Sequence, residues 1–169
     1  DAFSKFKTKK GVRSSIGALL KRIEKGKGVD AINPLVDIYN GISLKSALPC
    51  GMEDTDTFSG DLRLTVTKGG DIFLALGDEE IDCTLPGEIC YLDDEGAVCR
   101  CWNWRDGQRT MLTEDTKNAI AVIESVDPSR HEDLETALET LSAWIEKVRI
   151  GKVNTKVILN KTYNVLNIK

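Results

Sequence analysis

The densest set of chemically capable side chains lies between Cys99 and Thr116, centred on WNWRDGQRT at residues 102–110. Two tryptophans, two arginines, an asparagine and a threonine in nine residues are an unusual set for a plain turn. If the segment continues a strand, Trp102 and Trp104 are two apart, share a face and form an aromatic floor. Arg105 and Arg109 offer planar donor forks that suit a carboxylate or phosphate. Gly107 permits a turn that aims backbone N–H groups inward. Asn103, Thr110, Thr113 and Thr116 add polar handles, with Asn103, Thr110 or Thr113 able to orient a water molecule. Together these residues describe the wall of a ligand pocket. The plainer reading is tryptophan packing, with Arg105 and Asp106 tying a turn.

The remaining residues exclude several chemistries. The single histidine, His131, opens a predicted helix and has no nucleophile near it in sequence, which disfavours Ser-His-Asp and Cys-His mechanisms. There is no GxxxxGK[ST] phosphate loop and no GxGxxG turn. Glu79-Glu80 and Asp93-Asp94 read as solvated turn residues. Asp54 and Glu88 are the reserve acid–base candidates, although Asp54 is equally suited to capping a loop. Five cysteines at 50, 83, 90, 99 and 101 are irregularly spaced and odd in number, unlike a secreted disulfide framework. A zinc site on Cys90, Cys99 and Cys101 would lack a CxxC knuckle, so reduced, buried thiols are the better reading. Neither a metal nor a cofactor is expected.

The 169 residues suffice for one domain with a full core. No apolar run approaches the ~20 residues of a membrane span, and residues 1–10 lack the apolar centre of a secretion signal. A soluble, cytoplasmic protein is expected, and an amino-terminal Asp points to a natural chain extending upstream. The net charge of −4 conceals an asymmetry. Residues 1–27 carry nine Lys/Arg against two acids, and residues 147–169 carry six Lys/Arg and no acid, leaving the middle strongly acidic. Such basic ends could rim a nucleic acid or merely solvate the termini.

These side chains need elements to position them. Ser14 and Ser15 can cap a helix running to about Gly26, and Asn33-Pro34 opens a second that ends near Leu48-Pro49. DLRLTVT at 61–67 alternates, which predicts a strand with Leu62, Leu64 and Val66 inward and Arg63, Thr65 and Thr67 outward. IFLAL at 72–76, EICYL at 88–92, AVCRCWN at 97–103 and NAIAVIESV at 118–126 also read as strands. The last helix spans about 129–148, with Leu134, Leu138, Leu141, Ile145 and Val148 toward the core. The pattern is α+β, a mostly antiparallel sheet with flanking helices. Residues 1–148 form the domain, and 149–169 a basic C-terminal extension read as an added strand or an extended tail.

Four blocks in this order, INPLVDIYN, LPCGMEDTDTFSGDL, PGEICYLDDEG and CRCWNWRDGQRTMLTEDTKNAIAVIE, resemble freestanding relatives of the B3/B4 domain of the phenylalanyl-tRNA synthetase β subunit. The resemblance covers about residues 12–148. It implies an α+β fold with a pocket between the sheet and the Pro49–Asp54 loop. That synthetase domain removes tyrosine wrongly esterified to phenylalanine tRNA, so the resemblance also implies clearance of a mischarged aminoacyl-tRNA in trans. In the family loop Pro-x-His-x-x-Asp, Pro49 and Asp54 match, but Gly51 stands at the histidine position. The synthetase's Gly-rich turn is replaced by WNWRDGQRT. Its editing glutamate, on the following strand, falls at Val122 or, with a shift, at Glu124. The expected partner is tRNA or aminoacyl-tRNA, and a small amino-acid ligand is also compatible. In this scheme Arg105 anchors a carboxylate or phosphate, and Pro49, Gly51 and the tryptophans enclose the substrate. Asp54, Glu88 or Thr113 supplies the catalytic group. The competing readings are a non-catalytic module for an amino acid or RNA end, and a protein-interaction domain.

Overall fold

The computed structural model describes residues 2–167. Helix α1 spans Ser15–Glu24, and the Ser14 hydroxyl caps it by accepting the Gly17 N–H at 3.2 Å. Helix α2, Pro34–Ser46, begins with Asn33 Oδ1 accepting the Val36 N–H at 3.0 Å. It ends at Ala47, whose φ of 51° is left-handed. Arg130 donates to the carbonyls of Ser46 and Ala47, and so ties this strained end to the start of the last helix.

Two antiparallel sheets follow. Strands β1 (Cys50–Asp54) and β6 (Ala119–Ile123) form one, with Gly51 opposite Val122 and Glu53 opposite Ile120. The other has the order β2 (Arg63–Val66), β3 (Ile89–Leu92), β4 (Ala97–Arg100), β5 (Arg105–Asp106). Helix α3, His131–Lys147, packs with α2 beneath the first sheet. Ile42, Leu48, Cys50, Met52, Ala137, Leu141 and Ile145 form that core. A second cluster, Phe73, Ala75, Cys90, Leu92 and Ala97, covers one face of the four-stranded sheet. The fold is therefore α+β, as the periodicities indicated.

Side-chain alternation fixes which residues face the space between the sheets. On β1, Cys50 and Met52 point to the helices, so Gly51 and Glu53 point the other way. On β3 and β4, Tyr91 lies opposite Cys99, but the next pair is Leu92 with Ala97, which makes Val98 the extra residue of a bulge. Cys99 in turn lies opposite Asp106. Tyr91, Cys99 and Asp106 thus share the face turned toward Gly51 and Glu53.

Several expectations are corrected. The ladder within 61–67 covers only Arg63–Val66, and its apolar side is not inward: Leu64 is 51% and Val66 61% exposed, while Thr67 is buried. Alternation separates two faces but does not say which is covered, and Thr67 is drawn in by its hydroxyl contacts with Asp71 and Thr84. Residues 72–76 make one isolated bridge, Ala75 to Gly107. Their other backbone bonds are divided between Ala97, Asp106 and Gln108, so no continuous ladder forms. Val148 lies just beyond α3 and is 42% exposed.

The expected strand over 97–103 stops at Arg100. Cys101 and Trp102 have φ of 48° and 66°, the left-handed region, and the chain turns back into β5. Trp102 and Trp104 therefore do not share a strand face, and the aromatic floor does not exist. Beyond Lys147 the described residues form no strand. Val153 packs against the core, and Lys156 pairs with Glu139 at 2.6 Å. No helix among the described residues is long and apolar enough to cross a membrane.

Candidate functional site

The space between the sheets is lined by carboxyl groups. Glu53 on β1 is 8% exposed and lies near Asp106 on β5. Burial, reinforced by the Asp106 charge, pushes the Glu53 carboxyl up to about 9, so it is protonated at neutral pH. Burial also raises Asp106, whose one side-chain partner is the Cys99 thiol. Two carboxyls with no cation between them favour the state in which the pair carries one negative charge rather than two. Glu53 Oε2 is fully buried without a hydrogen-bond partner, and so is the hydroxyl of the neighbouring Thr110.

Glu124, just past β6, is the third carboxyl. Its backbone N–H donates to the Pro49 carbonyl at 3.1 Å, which brings it to the start of β1. Its side chain accepts from the Tyr91 hydroxyl, from Trp102 Nε1 and, at 2.6 Å, from Asn103 Nδ2. Burial raises its pKa and these three donors offset part of the rise. Three donors around one carboxyl are the partners an ionised group requires. They also explain the 101–104 turn: the left-handed backbone aims Trp102 and Asn103 at Glu124, while Phe3 packs on Trp102 with ring centroids 5.5 Å apart.

Gly51 lies between Glu53 and the Val122–Glu124 segment, on the same face as Glu53. A Cβ at this position would meet nothing within 4 Å. The missing side chain opens the cleft at the place where the resemblance puts a histidine. Tyr39 of α2 approaches from the side of Asp106 and Cys50. Burial moves Cys50 up to about 12 and Cys99 well above the ordinary thiol range, so neither sulfur is a ready nucleophile.

The other expected site residues lie elsewhere. Asp54 accepts from the Asp56 N–H at 2.9 Å and from the Thr116 hydroxyl at 2.7 Å, which makes it the cap of the short turn Thr55–Thr57. Thr116 thus serves that loop. Thr113 is exposed and closes a turn by accepting the Asp115 N–H at 3.2 Å. Glu88 is fully buried against Arg100, with hydrogen bonds of 2.8 and 3.0 Å, on the opposite face of the sheet. Arg105 shares that face and is held by Asp78 at 2.8 and 3.1 Å, with its guanidinium 5.9 Å from the Trp104 ring. Arg109 is held by Asp93 at 2.7 Å. Of the expected set, Pro49, Gly51, Trp102, Asn103 and Thr110 come together around the cleft.

Glu53 and Asp106 were missed as functional groups, and one signal could have found them. If CGMED pairs with AIAVI, alternation alone places Gly51 and Glu53 on one face, away from Met52. No three His, Cys, Asp or Glu side chains among the described residues are arranged to hold a metal ion.

With this geometry in view, comparison with known proteins defines the class. The B3/4 domain model matches residues 1–149, and the chain belongs to that family. It is similar to the phenylalanine–tRNA ligase beta subunits of Bartonella henselae, at 32% identity over 93 residues, and Ruegeria pomeroyi, at 33% over 93 residues. Each match covers 55% of this chain and 11% of the relative, so the chain corresponds to about a tenth of those subunits.

Proposed function

We propose that this chain is a trans-acting aminoacyl-tRNA deacylase, working in the cytoplasm, that hydrolyses the ester of a mischarged tRNA in the cleft over Gly51. One observation carries the reading: a protonated carboxyl, Glu53, and a second carboxyl, Asp106, meet beside an open position of the strand that corresponds to the family's editing loop. Paired carboxyls with raised pKa values are the equipment of general acid–base catalysis.

The chemistry needs no protein nucleophile. Water attacks the ester carbonyl while its proton passes to Asp106. The bond to the ribose oxygen breaks, and that oxygen takes the proton of Glu53. The pair then regains its single shared proton by transfer from Asp106 to Glu53. Thr110, buried and unpartnered, is available to orient the water, and closure between the sheets strengthens these interactions by excluding solvent.

The basic N-terminal segment supports the tRNA partner. It is attached to the cleft's rim by Phe3 on Trp102 and by the Ser15 N–H on the Asn103 carbonyl at 3.0 Å. Lys5, Lys7, Lys10 and Arg13 are exposed along it, where a phosphate backbone would pass.

The test incubates the protein with a panel of mischarged tRNAs and follows loss of the ester. Hydrolysis of at least one, abolished by Asp106→Asn, is expected; no loss above the buffer rate sinks the reading. Gly51 in place of histidine favours a second reading, a non-catalytic module for an amino acid or RNA end. Saturable quenching of tryptophan fluorescence by such a ligand, with no hydrolysis across the panel, would decide for it.

A further inference from the structure

Every deeply buried carboxylate outside the cleft has a cation. Glu88 has Arg100, and Asp93, whose side chain is 0% exposed, has Arg109. Among the described residues, Glu53, Asp106 and Glu124 have none, although they lie within one another's fields. The nearest cation, Arg109, is already committed to Asp93 at 2.7 Å and Glu95 at 3.7 Å. A cluster of acids alone would not define a site. Here a second, independent feature points into the same space: the Thr110 hydroxyl, with its residue 0% exposed, has no partner and stands beside Glu53. Beyond it the face of Gly51 is empty. The cleft thus has negative charge, a free hydroxyl and room, and lacks a positive partner.

We propose that Asp106 and Glu124, with Glu53 and Thr110 beside them, hold the protonated α-amine of the substrate, so that the cleft accepts aminoacyl esters with a free amine and rejects N-acylated esters and free amino acids. The selectivity follows from charge. An aminoacyl ester presents an ammonium and no carboxylate. An N-acylated ester has lost the cation, and a free amino acid brings a carboxylate to meet three carboxyls. Arg105, the one residue of the central stretch that might have received that carboxylate, is on the other face of the sheet with Asp78. The inference rests on the deacylase reading for the ester, but its test does not depend on turnover.

Trp102 touches Glu124 and provides the probe, with Trp104 and Trp144 as fixed background. The full chain is titrated with the methyl esters of alanine, leucine and phenylalanine, with their N-acetyl derivatives, and with the free amino acids, with excitation selective for tryptophan. At least one free-amine ester is expected to bind about tenfold or more tighter than its N-acetyl form and its free acid, the ratio a charge-assisted contact supplies. Asp106→Asn and Glu124→Gln should each erase most of that ratio while thermal unfolding shows both variants folded. Where Glu124→Gln loses the fold with its three hydrogen bonds, Asp106→Asn alone decides. Equal binding of the free-amine and N-acetyl esters overturns the inference, and so does saturable binding of none. Lysine amide, whose second ammonium lies on the side chain, separates the two sources of positive charge. Preference for it over alanine amide by more than the ester ratio overturns the assignment to the α-amine. Selective binding with no hydrolysis of any charged tRNA sinks the deacylase reading alone; hydrolysis of free-amine and N-acetyl aminoacyl-tRNA at equal rates sinks this inference alone.

Discussion

On one face of the four-stranded sheet, Arg100 and Glu88 are both fully buried and joined by two hydrogen bonds, with Asp82 on the rim 2.7 Å from the same guanidinium. On the other face, one residue away along β4, Cys99 lies opposite Asp106, and the carboxyls of Glu53 and Glu124 stand across the cleft with no cation among them. The two faces are the same strands with opposite electrostatic design. Where burial serves the fold, each charge meets its complement. Where it does not, the raised carboxyls and unpartnered Thr110 are groups that folding leaves unsatisfied, the expected mark of a functional site.

The comparison breaks first at Arg100. Arg100→Met strands a buried carboxylate, and urea unfolding should show a loss of about 3–5 kcal/mol. The double variant with Glu88→Met should recover much of it; a single variant as stable as wild type would mean that the pair is not buried as described. Glu124→Ala removes the acceptor of Tyr91, Trp102 and Asn103, and about 1–3 kcal/mol should be lost, with a shift in tryptophan emission. Both are expected to exceed anything seen at Arg105, whose pair with Asp78 is solvent-exposed and contributes at most about 1 kcal/mol.

The cleft face makes a prediction in pH. Glu53 sits near 4.5 when unfolded and about 9 when folded, so the native state holds its proton where the unfolded chain has released it. The contribution of this group is fully present below about pH 4.5 and is lost progressively as the pH rises toward 9. Stability measured by denaturant at pH 6 and pH 8.5 should therefore fall across that window, and Glu53→Gln should flatten the fall. A slope unchanged by Glu53→Gln would show that Glu53 does not hold the proton.

The helices and the cleft differ in how far the sequence reveals them. Ser14 and Asn33-Pro34 mark helix starts because a cap satisfies N–H groups two or three residues away, a local event visible locally. The β3–β4 hairpin and β6 are legible for the same reason. The cleft joins β1, β5 and β6, which are far apart in sequence, so its carboxyls look like ordinary loop acids until the strand pairing is known. The end of β4 was hidden differently. Cys101 and Trp102 take left-handed backbone angles without a glycine to announce them, and what repays that strain is a distant partner, Glu124. Gly51 was legible as a departure from the family loop, but not as an opening.

The smallest stability effect is expected at that glycine. Gly51→Ala places a methyl group in open space and should change stability by no more than about 0.5 kcal/mol. Gly51→His should fold as well, while changing how the cleft handles its ligand. A large destabilisation by the alanine would contradict an open cleft.

The most direct measurement is ester loss from mischarged tRNAs incubated with the wild-type chain and with Asp106→Asn, under conditions where both are folded. Hydrolysis above the buffer rate by wild type, and its loss in Asp106→Asn, is the result expected of a cleft that works as a deacylase. No hydrolysis of any pair, or undiminished hydrolysis by the variant, would contradict it.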